Sequence, residues 1–114
     1  MIQIVRAGER GLAPVEIPGV SVLASDPVRA PDGALSAGFT EYLEPCDFGW
    51  TFDYNEVFFM LEGDLEVQSP DGERVAFGPG DMGFIEKGVS ARIVVPKRAL
   101  FVHFTQPAWT GGGT

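Results

Sequence analysis

The chain has 114 residues, 45% of them hydrophobic and 21% charged, which is the balance of one ordinary globular domain. Eight basic and sixteen acidic residues give a formal net charge of -8, which disfavours nucleic acid and anionic membrane surfaces as partners. No apolar run approaches the ~20 residues of a membrane helix, and the start lacks the pattern of a secretory signal. We therefore expect a cytoplasmic protein.

Turn signals such as PDG, SPDG, GPGD and EKG punctuate the whole chain. The β-branched and aromatic segments between them predict strands, in chain order, over 2–5, 20–25, 35–44, 50–52, 56–61, 64–68, 73–77, 83–86, 89–95 and 99–105. Short, evenly spaced strands are typical of an all-β sandwich or barrel. We predict one domain over 1–107 and a flexible tail over 108–114, where AWTGGGT has no pattern.

Two of the predicted strands lack the alternation of a half-exposed strand. They are EVFFML at 56–61 and LFVHF at 100–104, and both faces of each must be covered. One face would line the interior, and the other would pack against the N-terminal strand or a second subunit. The pattern favours a homodimer; the alternative is a monomer covered by its own N-terminal segment.

The order of a strand, Glu56, six residues and Gly63, followed by GPGDMGFIEKG, resembles the two motifs of the cupin superfamily. The resemblance implies a cupin-type jelly-roll barrel, also called a double-stranded β-helix. It places Trp50 and Phe52 at the two histidines of the first motif and Ala91 at the histidine of the second. Three of the four metal-ligand positions thus carry side chains that cannot coordinate a cation, so we expect no metal and no other cofactor.

The segments SAGFTEYLE, WTFDYNE and GDMGFIEKG are similar to the ethanolamine-utilisation Q-type (EutQ-like) cupins. An acetate kinase activity has been attributed to that group, and the resemblance implies it as an alternative function. Phosphoryl transfer needs a cationic or amide-rich cradle for the phosphates. The chain has no Gly-x4-Gly-Lys-Ser/Thr motif, and Lys87 and Lys97 fall in predicted turns.

Strand parity, carried over from the motif positions, predicts which side chains face the barrel interior. The expected substrate-binding residues are Trp50, Phe52, Phe58, Met60, Ala91 and Ile93. An apolar, aromatic lining with few polar groups is typical of a small-molecule pocket.

Four polar residues are candidate catalytic groups: Glu56, His103, Glu41 and Tyr54. A carboxyl in an apolar cavity has a raised pKa, and an imidazole within hydrogen-bond reach can then share its proton near neutrality. Glu56 with His103 is the pair we favour. The alternatives are a solvent-facing Glu56 and a His103 that is only a core residue.

Glu41 and its neighbour Tyr42 cannot both face inward, because successive side chains of a strand alternate. Glu41 shares its side with Phe39 and Leu43, so we expect Glu41 to face the pocket. Tyr54 shares the register of Trp50 and can orient a ligand through its hydroxyl.

The sequence leaves two main hypotheses. The first is an enzyme that performs metal-independent acid/base chemistry on a small-molecule substrate, of isomerase, lyase or cyclase type. The second is a non-catalytic cupin that binds a small ligand. A metal-dependent dioxygenase is a third option, which requires Glu41, Asp53, Glu56 and His103 to converge.

Overall fold

The computed structural model describes residues 1–110. Within that range the chain forms strands and no helix, and so no helix that could cross a membrane. The strands are β1 (Ala13–Pro14), β2 (Val22–Arg29), β3 (Ser36–Tyr42), β4 (Cys46–Thr51), β5 (Asn55–Gly63), β6 (Leu65–Gln68), β7 (Arg74–Phe77), β8 (Met82–Ile85), β9 (Ser90–Val95) and β10 (Ala99–Gln106).

The strands form two antiparallel sheets. The six-stranded sheet has the order β1-β2-β3-β10-β5-β8, and the four-stranded sheet has the order β4-β9-β6-β7. Each sheet mixes strands that are far apart in the sequence, as expected when a chain alternates between the two sheets of a jelly roll. The predicted all-β jelly-roll class is confirmed.

The core lies between the sheets. Phe58 of β5 is fully buried, with its ring centroid 4.8 Å from that of Phe77 and 5.5 Å from that of Phe101. From the other sheet, Ile93 and Val95 of β9 point into the same space and are 5% and 1% exposed. Side chains that alternate inward from both sheets thus build the single core that the length of the chain allows.

The turn after β5 requires glycine. Gly63 has φ 76°, and a Cβ at this position would lie 2.0 Å from the carbonyl oxygen of Arg98. Any other residue would therefore meet both an unfavourable backbone conformation and a backbone clash. The closing glycine of the first cupin-like motif thus allows β5 to turn directly beside the start of β10.

Three local predictions differ from the structure. Residues 2–5 form no strand; the Gln3 side chain bonds the backbone NH and carbonyl of Arg29 at 3.0 and 2.8 Å. The short strand at Ala13–Pro14 was missed, and the predicted strand 50–52 is the end of the longer Cys46–Thr51.

The beginning of the expected C-terminal tail packs on the domain. Ala108 is buried and donates its backbone NH to the Gly33 carbonyl at 3.0 Å. The Trp109 backbone NH donates to Ser36 Oγ at 2.9 Å. Ala108 and Trp109 of the expected tail thus contact the domain; residues 111–114 lie outside the described range.

The outer face of the six-stranded sheet is apolar, as the two non-alternating strands predicted. Over β3, the N-terminal segment covers part of it, with the Arg10 guanidinium 4.6 Å from the Phe39 ring centroid. Over β5, β8 and β10, Met82, Phe84 and Phe104 remain 66%, 62% and 48% exposed. We refer to these three residues as the outer patch.

Candidate functional site

A cavity lies between the sheets, with a volume of about 60 Å³. This is room for a few water molecules or a ligand of similar size. It is lined by Val15, Ile17, Val22, Ala24, Thr40, Tyr42, Trp50, Phe52, Tyr54, Glu56, Phe58, Leu65, Val67, Ile85, Ile93, Phe101, His103, Thr105 and Trp109.

Glu56 is the only carboxylate of this lining among the described residues. It stands near the start of β5, on the face that also carries Phe58, because side chains two apart on a strand share a face. The carboxyl makes no hydrogen bond within residues 1–110. Burial, and secondarily the charge of Asp26, raises its pKa from 4.5 to about 8.

Two phenols stand in the electrostatic neighbourhood of Glu56. Burial, followed by the charge of Glu56, raises the pKa of Tyr42 and also that of Tyr54, so both remain protonated at neutral pH. The Tyr54 hydroxyl accepts a hydrogen bond from Trp50 Nε1 at 3.1 Å. Its own proton can therefore be directed to another acceptor.

His103 of β10 is buried, and both of its ring nitrogens have partners. Nε2 lies 3.2 Å from Asp26 Oδ1, and Nδ1 lies 2.8 Å from Thr40 Oγ1. A neutral imidazole that donates from Nε2 to the carboxylate has Nδ1 free to accept the hydroxyl proton of Thr40. The arrangement is a carboxylate, imidazole and hydroxyl in series, and Thr40 and His103 both line the cavity.

A bulge in β2 brings Asp26 to the histidine. The register between β2 and β3 shifts between Ser25 and Val28, across Pro27. Proline removes one hydrogen-bond donor from the strand, and is therefore found in sheets at edges and bulges. The displaced backbone turns Asp26 toward the interior, where its side chain is only 10% exposed.

Further hydrogen bonds hold the Asp26 carboxylate in place. Its Oδ2 accepts the Ser36 hydroxyl at 2.6 Å, and Ser36 Oγ lies 3.1 Å from Thr105 Oγ1. Arg29 bonds the same Oδ2 at 3.3 Å and the Trp109 carbonyl at 2.8 Å. Trp109, in the expected tail, thus lines one side of the cavity, and its carbonyl is hydrogen-bonded to the arginine that holds Asp26.

Most of the expected site residues line the cavity. Those that do are Trp50, Phe52, Tyr54, Glu56, Phe58, Ile93 and His103. Three do not: Met60 is fully buried but outside the lining, Ala91 is 5% exposed and lies at a shallow surface groove beside Trp50, and Glu41 is bound to Arg98. Met60 pairs with Phe101 of β10, which does line the cavity, so inward parity alone does not decide which side chains reach the cavity.

Glu41 does not face the pocket, and this expectation is wrong. Its carboxylate binds the Arg98 guanidinium at 3.0 Å, while Tyr42 is buried and lines the cavity. The apolar company of Glu41 misled the assignment, because Phe39 is packed under Arg10 on the outer face. Apolar neighbours indicate an inner face only when the outer face is polar.

The expected hydrogen bond between Glu56 and His103 is also absent from the described residues. Glu56 pairs with Thr105 and Phe58 pairs with His103, so Glu56 and His103 are diagonal neighbours on one face. Diagonal Cα atoms are ~7–8 Å apart, and the ring nitrogens of His103 bond Asp26 and Thr40 instead. The two groups face one cavity as separate polar centres.

Sequence reasoning missed four residues of the site: Asp26, Thr40, Tyr42 and Trp109. Asp26 had a usable signal, since an Asp-Pro pair inside a strand segment marks a bulge. Tyr42 and Thr40 lie on the face of β3 opposite to Glu41, so they would have been found had the other face been assigned to the interior. Trp109 had no comparable signal, because the glycine-rich segment after it reads as a tail.

The residues do not fit the metal that cupin-type barrels commonly hold. Trp50, Phe52 and Ala91 at the motif positions offer no ligand atom. In residues 1–110 no three His, Cys, Asp or Glu side chains are grouped to hold an ion. The four residues of the dioxygenase hypothesis do not converge, since Asp53 is exposed and Glu41 is on the outer face.

Comparison with known proteins places the chain in a family. Residues 9–111 match the family model described as ethanolamine utilisation protein EutQ. Over 85 residues, or 74% of this chain, the sequence is 35% identical to a Salmonella typhimurium protein named acetate kinase EutQ. The match spans only 36% of the length of that relative.

Solved structures agree with the sequence match. The crystal structure of ethanolamine utilization protein Q from Salmonella typhimurium has a TM-score of 0.84 and 28% identity, covering 95% of this chain and 88% of that chain. An RmlC-like cupin from Shewanella frigidimarina shares the fold, with a TM-score of 0.72 at 15% identity over 96% of this chain and 95% of that chain. The predicted cupin fold is confirmed, and the chain belongs to the EutQ family of ethanolamine utilisation proteins.

Proposed function

We propose that the protein is an enzyme that moves protons on a small molecule inside the barrel without a metal ion, in an isomerase, lyase or cyclase type of reaction. The observation that carries the proposal is Glu56. Its carboxyl faces the cavity, has no hydrogen-bond partner in residues 1–110, and burial raises its pKa to about 8. A general acid or base is most effective when its pKa is close to the working pH.

A second centre supports the proposal. Thr40, His103 and Asp26 form a hydrogen-bonded series in which the carboxylate orients the imidazole; in the tautomer that donates from Nε2 to Asp26, Nδ1 accepts a hydrogen bond from the Thr40 hydroxyl. Thr40 and Glu56 are the groups that would touch the substrate, and Asp26 is a positioning residue. One centre takes a proton from the substrate while the other supplies one, so the reaction needs no oxidant, reductant or co-reactant.

The test is the Glu56→Gln variant, because glutamine has nearly the same shape and cannot transfer the proton. Small metabolites with acidic C–H bonds would be incubated with the protein in deuterium oxide, and deuterium incorporation followed by NMR. We expect Glu56→Gln to slow exchange at least ~100-fold at saturating ligand, so that the loss is in proton transfer and not in occupancy of the cavity. In the native protein kcat/KM should inflect near the pKa of about 8.

The matched control is Glu62→Gln, on the same strand. Glu62 is on the surface and binds Arg98 at 3.3 Å, and its replacement should leave exchange unchanged. If the native protein binds ligands but exchanges no proton above background, the chain is a non-catalytic ligand-binding cupin. If Glu56→Gln and Glu62→Gln behave alike, Glu56 has no role in proton transfer.

Acetate kinase activity, which the name of the Salmonella relative states for that protein, is the alternative. Among the described residues, the cavity lining contains neither lysine nor arginine to stabilise a transferring phosphoryl group. We therefore consider acetate kinase activity less well supported than proton transfer. Acetyl phosphate formation from ATP and acetate that depends on Glu56 but not on Glu62 would reverse this order.

We also infer that the protein forms a homodimer through the outer patch. Phe104 and Phe84 flank Val57 in the strand register, so their exposed rings form one continuous surface. Apolar surfaces of this kind are commonly covered, and a two-fold axis lets one patch cover its own copy.

Light scattering at micromolar concentration should give twice the chain mass for the native protein, and the Phe84→Glu variant should give the mass of one chain. Val75→Glu, on the other sheet and 40% exposed, should remain dimeric.

A further inference from the structure

The lining of the cavity offers one carboxyl group, that of Glu56, and, within the described residues, no lysine or arginine. The nearest cation to the polar network, Arg29, is already bonded to Asp26 and to the Trp109 carbonyl. A negatively charged ligand in this cavity would find no fixed positive charge, and would lie beside a carboxyl group.

The remaining walls of the cavity are rich in aromatic rings, which can bind a cation over their faces. Ring faces carry the negative end of the aromatic quadrupole, and cations bind over them most strongly when water is excluded. The rings are mutually packed, with centroids 5.7 Å apart for Phe52 and Tyr54 and 6.1 Å apart for Tyr42 and Phe101. The aromatic residues of the lining are Tyr42, Trp50, Phe52, Tyr54, Phe58, Phe101 and Trp109.

Glu56 is the polar group that such a cation would meet. Its carboxyl has no hydrogen-bond partner in residues 1–110, whereas the other titratable groups of the lining are engaged or are phenols. A buried carboxylate is strongly disfavoured unless it is paired, and an ammonium group supplies both the opposite charge and hydrogen-bond donors. Two or more additional carboxylate ligands, as a divalent metal needs, are not grouped there within the described residues.

We propose that the cavity binds a small organic cation, with an ammonium group held between the Glu56 carboxylate and the aromatic walls. As a statement about the substrate, this rests on the proposed function: the molecule whose proton is moved carries an amine. As a statement about binding, it stands on the composition of the cavity alone.

Three probes of similar size and different charge test the proposal: n-propylammonium, 1-propanol and propionate. Binding is measured by calorimetry and by the fluorescence of Trp50 and Trp109, both of which line the cavity. At pH 9 we expect n-propylammonium to bind at least ~10-fold more tightly than 1-propanol, and propionate to bind more weakly than both. Affinity for n-propylammonium should rise about tenfold from pH 7 to 9, as Glu56 loses its proton.

Variants identify the partner of the ammonium group. Glu56→Gln should weaken n-propylammonium at least ~10-fold, remove the pH dependence of its affinity, and leave 1-propanol unchanged. Glu62→Gln should change none of these values. The proposal is overturned if propionate or 1-propanol binds as tightly as n-propylammonium, or if Glu56→Gln binds n-propylammonium as the native protein does.

The two proposals fail in different ways. Tight n-propylammonium binding without any deuterium exchange would contradict the enzymatic function and support the cation site. The opposite result would be Glu56-dependent exchange on a neutral or anionic metabolite with no preference for n-propylammonium. That result would contradict the cation site and support the enzymatic function.

Discussion

The Glu56→Gln variant is expected to be more stable than the native protein at pH 9, by about 3 to 5 kcal/mol, and equal to it at pH 4. The pKa of Glu56 is about 8 in the folded protein and 4.5 in the reference state. A group whose folded pKa is raised stabilises the fold fully below its unfolded pKa, and this contribution is lost as pH rises through the folded pKa. Each pKa unit corresponds to ~1.4 kcal/mol.

The measurement is urea unfolding at pH 4, 6 and 9, followed by tryptophan fluorescence. Carboxylates far from position 56 contribute alike to both proteins, so the difference between the two curves reports on Glu56 and the groups coupled to it. Because a domain of this size is stable by only ~5–15 kcal/mol, a loss of this size is a large fraction of the total. A stability difference that is the same at pH 4 and pH 9 would contradict the prediction, and Glu62→Gln should show no such trend.

The Gly38→Ala variant is expected to lose about 2 to 4 kcal/mol of unfolding free energy, along with the contact between Asp26 and His103. A Cβ at Gly38 would lie 1.8 Å from the carbonyl oxygen of Ser25 and 2.8 Å from Cα of Asp26. Both are backbone atoms of the β2 bulge, so the bulge must move. Gly38 pairs with His103 in the strand register, which places the clash directly beside the site.

Chemical denaturation measures the loss, and nitrogen NMR of the His103 ring reports whether Nε2 still donates to Asp26. Gly49→Ala is the matched control, since Gly49 also lies within a strand and a Cβ there meets nothing within 4 Å. Equal stability of the two alanine variants, or an unchanged His103 spectrum in Gly38→Ala, would show that the bulge does not depend on this glycine.

The part of the fold that could be predicted from the sequence is the part fixed by local signals. Turn glycines and β-branched runs located nine of the ten predicted strands, because a strand of four to eight residues between turns is a local pattern. The segment 2–5 has the same composition as a strand but finds no sheet edge to pair with. Its Gln3 side chain pairs with Arg29 instead, and such a partner is not visible in sequence.

Part of the site was predictable because a motif fixed the parity of its strands, and His103 was predictable as a polar residue within an apolar strand. Trp50, Phe52 and Glu56 were placed correctly because their positions follow from the first cupin-like motif. No motif covers β3, and both of its faces carry apolar residues, so the sequence did not decide whether Glu41 or Tyr42 faces the interior. The Asp26 contact depends on a bulge and on a residue 77 positions away in the chain, which is beyond any local pattern.

NMR titration of the Glu56 carboxyl carbon in the ligand-free protein, from pH 4 to 10, tests most directly whether the cavity keeps this carboxyl protonated near neutrality. The structure predicts an inflection near pH 8, well above the ordinary 4.5. An inflection near 4.5 would mean that water solvates the Glu56 carboxyl freely, and would contradict its proposed acid/base role at neutral pH.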